Sequence, residues 1–426
     1  MKCIYCNSEI DLTISDIIPY ALTGAKLTKE FVCKAHNGFT NDSYESIMIN
    51  NLSIYRNLLG LTTRKGKPVS FIADLEIEGY TIKNETISDK ASIMNGKRLF
   101  STIDDTGHKI VFGEKTKLLK INGATEEKIK NISLGNVAIS RIDDLRELFI
   151  SNEALHTVAK IAYEWHCLIH NIEEYNTERY SEIVNYILSP DSNASIVEIV
   201  VDAGMWAVYD NYSTTGANFL FEYDDKDGQT YVVFGLWNIL LYKIKVCTTG
   251  DNTNPNKTLR KAYLFHIDGR KTQAIFITTG PLHIVSVDPL QGITHLLSDI
   301  KTRLSKIGER DLSREYLNNN VKKIKKLLSG YKAGKCSISQ LLDYEDEDRI
   351  TTIYILELIW ANRTEYLSTL TFTENMVKIL KTNDRYVITQ KTKAEILDRY
   401  IKMDASSTFI DLIEAAINFF ETNCEK

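Results

Sequence analysis

The sequence predicts an α+β protein in three parts: a small zinc-stapled unit at the amino terminus, an antiparallel mixed α/β middle region, and a mainly helical carboxy-terminal region. Three observations predict it. Two pairs of metal-ligating side chains stand near the start of the chain. The hydrophobic period changes to two from about residue 69. The last third sets apolar stripes at helical spacing against dense charge. The chain has 426 residues, more than one hydrophobic core sustains, and the expected boundaries are 1–60, 61–290 and 291–426.

The first unit rests on Cys3-Ile4-Tyr5-Cys6 and Cys33-Lys34-Ala35-His36. A two-residue spacer lets both members of a pair face one ion, so the four side chains suit a closed tetrahedral Zn²⁺ site. Two reduced thiol pairs, or a redox Cys-x-x-Cys, are the competing reading. A redox motif has no use for the second pair. So small a unit has little core, and zinc is expected to supply much of its folding free energy, on the order of 10 kcal/mol. A helix is expected from about His36, with Tyr44, Ile47, Met48, Leu52, Tyr55 and Leu58 on its inward face.

Between the pairs stand Ser15-Asp16-Ile17-Ile18-Pro19 and Leu22-Thr23-Gly24, and Asn37 follows His36 directly. With these, residues 1–60 resemble the zinc-stapled branch of the HNH (ββα-metal) endonucleases. That family orders a Cys-x-x-Cys knuckle, an acid-His pair before two aliphatics and a proline, a glycine-bearing stretch, and a second pair followed by Asn or His. The resemblance implies a hairpin carrying Asp16 to Pro19 and metal-dependent hydrolysis of phosphodiester bonds in nucleic acid, DNA before RNA. By analogy it suits bacterial defence against foreign DNA.

Carried over residue by residue, Asn37 matches the position that holds a divalent ion, while Asp16 stands where the family has its water-activating histidine. Ser15 replaces the acid usually before it. An aspartate of pKa about 3.9 is a weak acceptor of water's proton. A carboxylate is, however, a better ligand than imidazole for Mg²⁺ or Mn²⁺. Asp16 and Asn37 are therefore the expected catalytic pair, holding Mg²⁺ or Mn²⁺, with Asn41, Asp42 or Glu45 completing the shell. The alternative is a zinc-stapled module that has lost its chemistry and positions the chain on nucleic acid or a protein partner. A remainder that senses a regulatory ligand or partner and gates the nuclease is compatible with either.

Bulk properties narrow the class. A formal charge of −5 and a pI near 6.0 argue against a globally basic nucleic-acid coat. Locally the sign reverses, since residues 1–70 carry eight Lys or Arg against six acids. Cys167, Cys247, Cys336 and Cys424 show no regular spacing, which fits a reducing compartment, and a cytoplasmic location is expected. Cys3 and Cys6 would interrupt any charged-then-apolar leader. No apolar run of about 18 residues occurs, so no membrane association is expected.

The remaining elements follow in order. Thr62 to Pro68 reads as a linker with three cations, a solvated loop before a phosphate-contacting one. Phe71, Ala73, Leu75 and Ile77 alternate, and after Gly79 the phase moves to Tyr80 and Ile82. Short strands are expected near 98–100, 109–112 and 117–121, with a turn at Asp104-Asp105-Thr106-Gly107. From about 151, Val158, Ile161, Ala162, Trp165, Leu168, Ile169 and Ile172 form a helical stripe flanked by His166 and His170, four apart. Without a third ligand at a recognisable spacing, helix-edge packing is the preferred reading of those imidazoles over a metal or base. Strands are expected at 196–201, 219–223, 231–246, 263–267 and 273–278, with Asp227-Gly228 as a hairpin turn. Asp224, Asp225 and Asp227 lack calcium-loop spacing. Helices are expected at 293–307, 312–328, 355–362 and 410–420. Lys322, Lys323, Lys325 and Lys326 read as a solvated face before a phosphate-binding one, balanced by the acids at 345–348.

Overall fold

The computed structural model describes residues 1–24, 27–88, 98–130, 137–140, 144–192, 194–212, 215–248, 259–267, 271–277, 282–337, 349, 352–353, 356 and 406–423. It is a mixed α/β structure with antiparallel sheets and a helical carboxy-terminal part. The chain divides into two compact units. The first comprises Met1–Tyr212, Ala217–Leu236 and Leu240–Leu297; the second comprises Ser213–Gly216, Trp237–Ile239 and Ser298–Lys426.

In the first unit, β1 (Leu12–Asp16) pairs antiparallel with β2 (Thr28–Cys33), with Leu12 opposite Cys33 and Asp16 opposite Thr28. The chain then enters the helix Lys34–Thr40, giving a β-β-α start. The helix begins earlier than His36, and it is interrupted: a π-helical turn at Asn41–Glu45 precedes the helices Ser46–Asn51 and Ser53–Leu58. Tyr44, Met48 and Leu52 are buried as expected, whereas Ile47 is exposed. The wider π turn resets the phase of the inward stripe. Between the strands, Gly24 takes φ +69°, and a Cβ there would lie 2.9 Å from the Ile267 carbonyl oxygen, so glycine fits the site on two counts.

β3 (Phe71–Ile77) and β4 (Tyr80–Ile87) form the expected hairpin, turned by Glu78 and Gly79 at φ 50° and 82°. β7 (Val137–Ser140) pairs with the other edge of β3. β5 (Phe100–Ile103) and β6 (Lys109–Phe112) make a separate hairpin across the Asp104 turn. The expected strand at 117–121 is absent. Residues Lys115–Leu118 form a helical turn instead, with none of its residues buried, and the lysines in this run are among the residues depleted in strands.

The body of this unit is an antiparallel sheet of seven strands, which runs from the strand Lys271–Ile277 at one edge to Ser286–Val287 at the other. These are β8 (Val197–Val200), β9 (Asn218–Asp224), β10 (Gln229–Leu236), β11 (Leu240–Thr248), β12 (Leu259–Phe265), β13 (Lys271–Ile277) and β14 (Ser286–Val287). The stretch expected as one strand over 231–246 is two. It folds back at Trp237 and Asn238, both with positive φ (53° and 60°), a hairpin hidden because neither residue is glycine. Asp225 Oδ1 accepts from Asp227 and Gln229 backbone N–H groups, so the acidic cluster builds a turn.

Alternation along β9 sends Phe219, Phe221 and Tyr223 to one face, where they pack with Met205 and Tyr209 of the helix Ala203–Tyr212. The opposite face carries Glu222 toward the helix Asn152–Ile169. That helix is capped by the Ser151 hydroxyl and is buried on almost every side, from Ala154 to Cys167. One of its edges meets the sheet, where Trp165 packs edge-on to Tyr263. Another meets the β-β-α start, where the Tyr163 hydroxyl bonds the Ile4 carbonyl. The helix Thr177–Leu188 follows, burying a stripe of Tyr180, Ile183, Val184 and Ile187 that had not been expected as an element.

In the second unit, the two helices expected over 293–307 and 312–328 belong to one continuous helix, Pro289–Lys332, which begins in the first unit. Val321, Ile324 and Leu328 are buried, and Lys325 and Lys332 pair with Glu421 and Glu414 of the helix Ser406–Asn423 at 2.7 Å. Lys322, Lys323, Lys325 and Lys326 are all exposed, in keeping with the solvated-face reading. The expected helix at 355–362 lies almost wholly outside the described residues, as do Cys424 and the acids at 345–348. Among the described residues, no helix is long and apolar enough to cross a membrane.

Candidate functional site

The four expected metal ligands converge. Ligand atoms of Cys3, Cys6, Cys33 and His36 all lie within 4.8 Å of one another. Cys3 Sγ to His36 Nδ1 is 3.7 Å, Cys6 Sγ to Cys33 Sγ is 4.0 Å, and Cys33 Sγ to His36 Nδ1 is 3.1 Å. A tetrahedron with Zn–S of about 2.3 Å and Zn–N of about 2.0 Å has edges of about 3.5 to 3.8 Å, so the cage fits a zinc-sized ion.

Local backbone explains the convergence. Cys6 and Asn7 N–H both bond the Cys3 carbonyl, closing a tight knuckle that Asn7 completes at φ 60°. Cys3 Sγ accepts from the backbone N–H of Tyr5 and Cys33. Burial pushes the Cys3 thiol up to about 12, and a cation bound among the four ligands would favour its thiolate form. Asn7 anchors the knuckle by exchanging two hydrogen bonds with Tyr175, of 2.9 and 2.6 Å.

Beside this cage lies a cleft of about 1140 Å³ whose walls include Asp16, Lys34, Asn37, Asn41, Glu45, Arg56 and Arg64. Asp16 ends β1, and Asn37 sits in the first turn of the helix that leaves β2. The Asn37 amide donates to Thr13 Oγ1 and the Ile14 carbonyl, which fixes the side chain against β1. Asp16 Oδ2 accepts from Arg64 at 2.7 Å, a guanidinium whose side chain is 80% exposed. Arg56 is buried, bonds the Ala21 and Ile49 carbonyls, and is brought down by burial to about 10, so it remains cationic at neutral pH.

Of the three candidate shell residues, Asn41 and Glu45 reach the cleft, while Asp42 is exposed and takes a hydrogen bond from Asn41. Glu45 is engaged elsewhere as well: its Oε1 lies 2.9 Å from Lys160 Nζ. Among the described residues, no histidine lines the cleft, and Asp16 belongs to no convergent group of three His, Cys, Asp or Glu side chains. The oxygen donors Asp16, Asn37 and Asn41 are chemically suited to a hard cation.

The helix Asn152–Ile169 supplies what sequence reasoning missed. Lys160, 1% exposed, donates to the Asp16 main-chain carbonyl at 2.6 Å and lies 3.4 Å from Glu164 Oε2. Glu164, fully buried, also accepts from Ser15 Oγ (2.8 Å) and Tyr5 Oη (3.0 Å). Ser15 thus orients a buried carboxylate brought in from far along the chain. Burial works against the Lys160 charge, yet Glu164 and Glu45 together hold it above the ordinary lysine range. Glu164 is also raised, by burial first and by Glu45, against the pull of Lys160. Both directions hold together because one cation is shared between two carboxylates. The signal was a Lys-Glu pair four apart inside an apolar helical run, an arrangement that needs a polar partner from another element.

On the sheet side of the same helix, His166 and His170 are not merely packed at its edge. Glu222 bridges them, Oε2 to His166 Nδ1 at 2.7 Å and Oε1 to His170 Nε2 at 2.6 Å.

Scans against protein-family models, curated protein sequences and solved structures return no match to this chain.

Proposed function

We propose that this protein is a metal-dependent endonuclease of HNH type, hydrolysing phosphodiester bonds in nucleic acid, with DNA the first candidate. The observation that carries the reading is the shared cleft: in a β-β-α start that bears the Cys₃His cluster, Asp16 and Asn37 line one cleft together with Lys34, Arg56 and Arg64. A divalent Mg²⁺ or Mn²⁺ held there would stabilise charge developing on the scissile phosphate.

The chain's own residues have separate parts in this reading. Asp16 and Asn37 offer oxygens to the cation. Lys160, through the Asp16 carbonyl, fixes the end of β1. Arg64 is tied to Asp16 by an exposed pair, a type worth only about 0–1 kcal/mol, so it can exchange the carboxylate for a phosphate oxygen at little cost. With no histidine on the cleft among the described residues, proton removal from water falls to solvent or to an acidified water, and slow turnover is expected.

A second reading is favoured by the Asp16 to Arg64 pair itself: a unit without turnover that uses Lys34 and Arg64 to hold nucleic acid. Incubating the purified chain with plasmid, single-stranded DNA and RNA in Mg²⁺, Mn²⁺ or EDTA separates the two. Metal-dependent cleavage lost in Asp16→Ala and Asn37→Ala supports the nuclease. Cleavage indifferent to both substitutions overturns the residue assignment, and binding without cleavage in any metal supports the second reading. A cytoplasmic setting, a role in defence, and a sensing partner for the remainder of the chain belong to this proposal.

A further inference from the structure

We infer that His166, His170 and Glu222 form a second metal site, independent of the Cys₃His cage, for a divalent first-row transition ion, with zinc the leading candidate. Three ligand-bearing side chains from two elements meet here: two imidazoles one helical turn apart and a carboxylate from β9. Their ligand atoms lie within 4.8 Å of one another. Two histidines and one carboxylate form the ligand set of open zinc sites, which keep a fourth position for water or substrate.

The surroundings suit an ion. Glu222 has a side chain only 15% exposed, and its two oxygens each meet one of the imidazoles at hydrogen-bond distance. The Tyr180 hydroxyl lies 3.4 Å from His166 Nε2, so that nitrogen can keep its proton when an ion displaces the one that Nδ1 now shares with Glu222, leaving the Nδ1 lone pair for the ion. His170 is 48% exposed, which leaves an approach from solvent. The present nitrogen-to-oxygen separations of 2.6 and 2.7 Å are those of hydrogen bonds. An ion with bonds of about 2.0–2.1 Å would spread them to about 3.3 Å in a tetrahedral arrangement. That is a shift of a few tenths of an ångström on each side, within reach of small side-chain rotations.

The site is tested by counting metal on the full chain, loaded with Zn²⁺ and dialysed against metal-free buffer, beside His170→Ala and Glu222→Gln. The wild-type chain is expected to retain two ions, and each variant one. Loading with Co²⁺ identifies which ion leaves: the variants should keep the thiolate-to-cobalt absorption of the Cys₃His cage and lose the other cobalt signal. His170 is half exposed at the helix end, so its variant serves should Glu222→Gln fail to fold. One ion in all three proteins, or two in all three, overturns the inference.

Discussion

Replacing Lys160 by methionine tests the buried network that joins the cleft to the central helix. Methionine keeps the length and apolar stem but removes the cation that the structure sets against both Glu45 and Glu164, and with it the donor to the Asp16 carbonyl. Removing one partner of a buried ion pair typically costs about 3–5 kcal/mol, because the remaining charge stays buried without compensation. That is a large part of the roughly 5–15 kcal/mol that holds a domain folded. With a urea dependence of up to about 3 kcal/mol per molar, the unfolding midpoint should fall by about 1 M or more.

The deficit should also depend on pH. Glu164 already sits above the ordinary carboxyl range through burial, and losing Lys160 raises it further. A group with a raised folded pKa contributes stability below its unfolded value that is lost as pH rises through the folded one. The variant's deficit should therefore be smaller near pH 5 than near pH 7.5. Adding Glu164→Gln should recover part of the loss at pH 7.5. Urea titrations followed by tryptophan fluorescence and circular dichroism provide the measurement. A loss below about 1 kcal/mol, or one unchanged between the two pH values, would refute the idea that Lys160 is the shared counter-ion of a charged, dry network.

Further outcomes follow from the same geometry. Cys33→Ser should abolish retention of the cage metal and make the first sixty or so residues sensitive to protease, because structural zinc sites carry much of a small unit's folding free energy. Gly24→Ala should destabilise the chain by about 1–3 kcal/mol in thermal or urea unfolding, since it needs positive φ and meets the Ile267 carbonyl oxygen at 2.9 Å. Arg64→Ala should leave stability within about 0.5 kcal/mol but weaken nucleic-acid binding and flatten its salt dependence by about one charge, measured by fluorescence anisotropy. An unchanged salt slope would remove Arg64 from the contact surface.

The sequence by itself determined the local items. Cys-x-x-Cys and Cys-x-x-His spacing fixes which side chains can share an ion, because a two-residue turn allows little else. Alternation of Phe71, Ala73, Leu75 and Ile77 fixes a half-buried strand. Only the tertiary structure decided what depends on distant pairing. Ser15 reads as a lost acid until Glu164 arrives from a helix about 150 residues on, and His166 with His170 lacks a third ligand until β9 brings Glu222. The hairpin at Trp237 and Asn238 carried no glycine to announce it, and the 44-residue helix Pro289–Lys332 read as two. The physical reason is the same throughout: spacing along the chain specifies turns and faces, whereas a buried charge or a metal ligand gains its meaning from the partner that folding places against it.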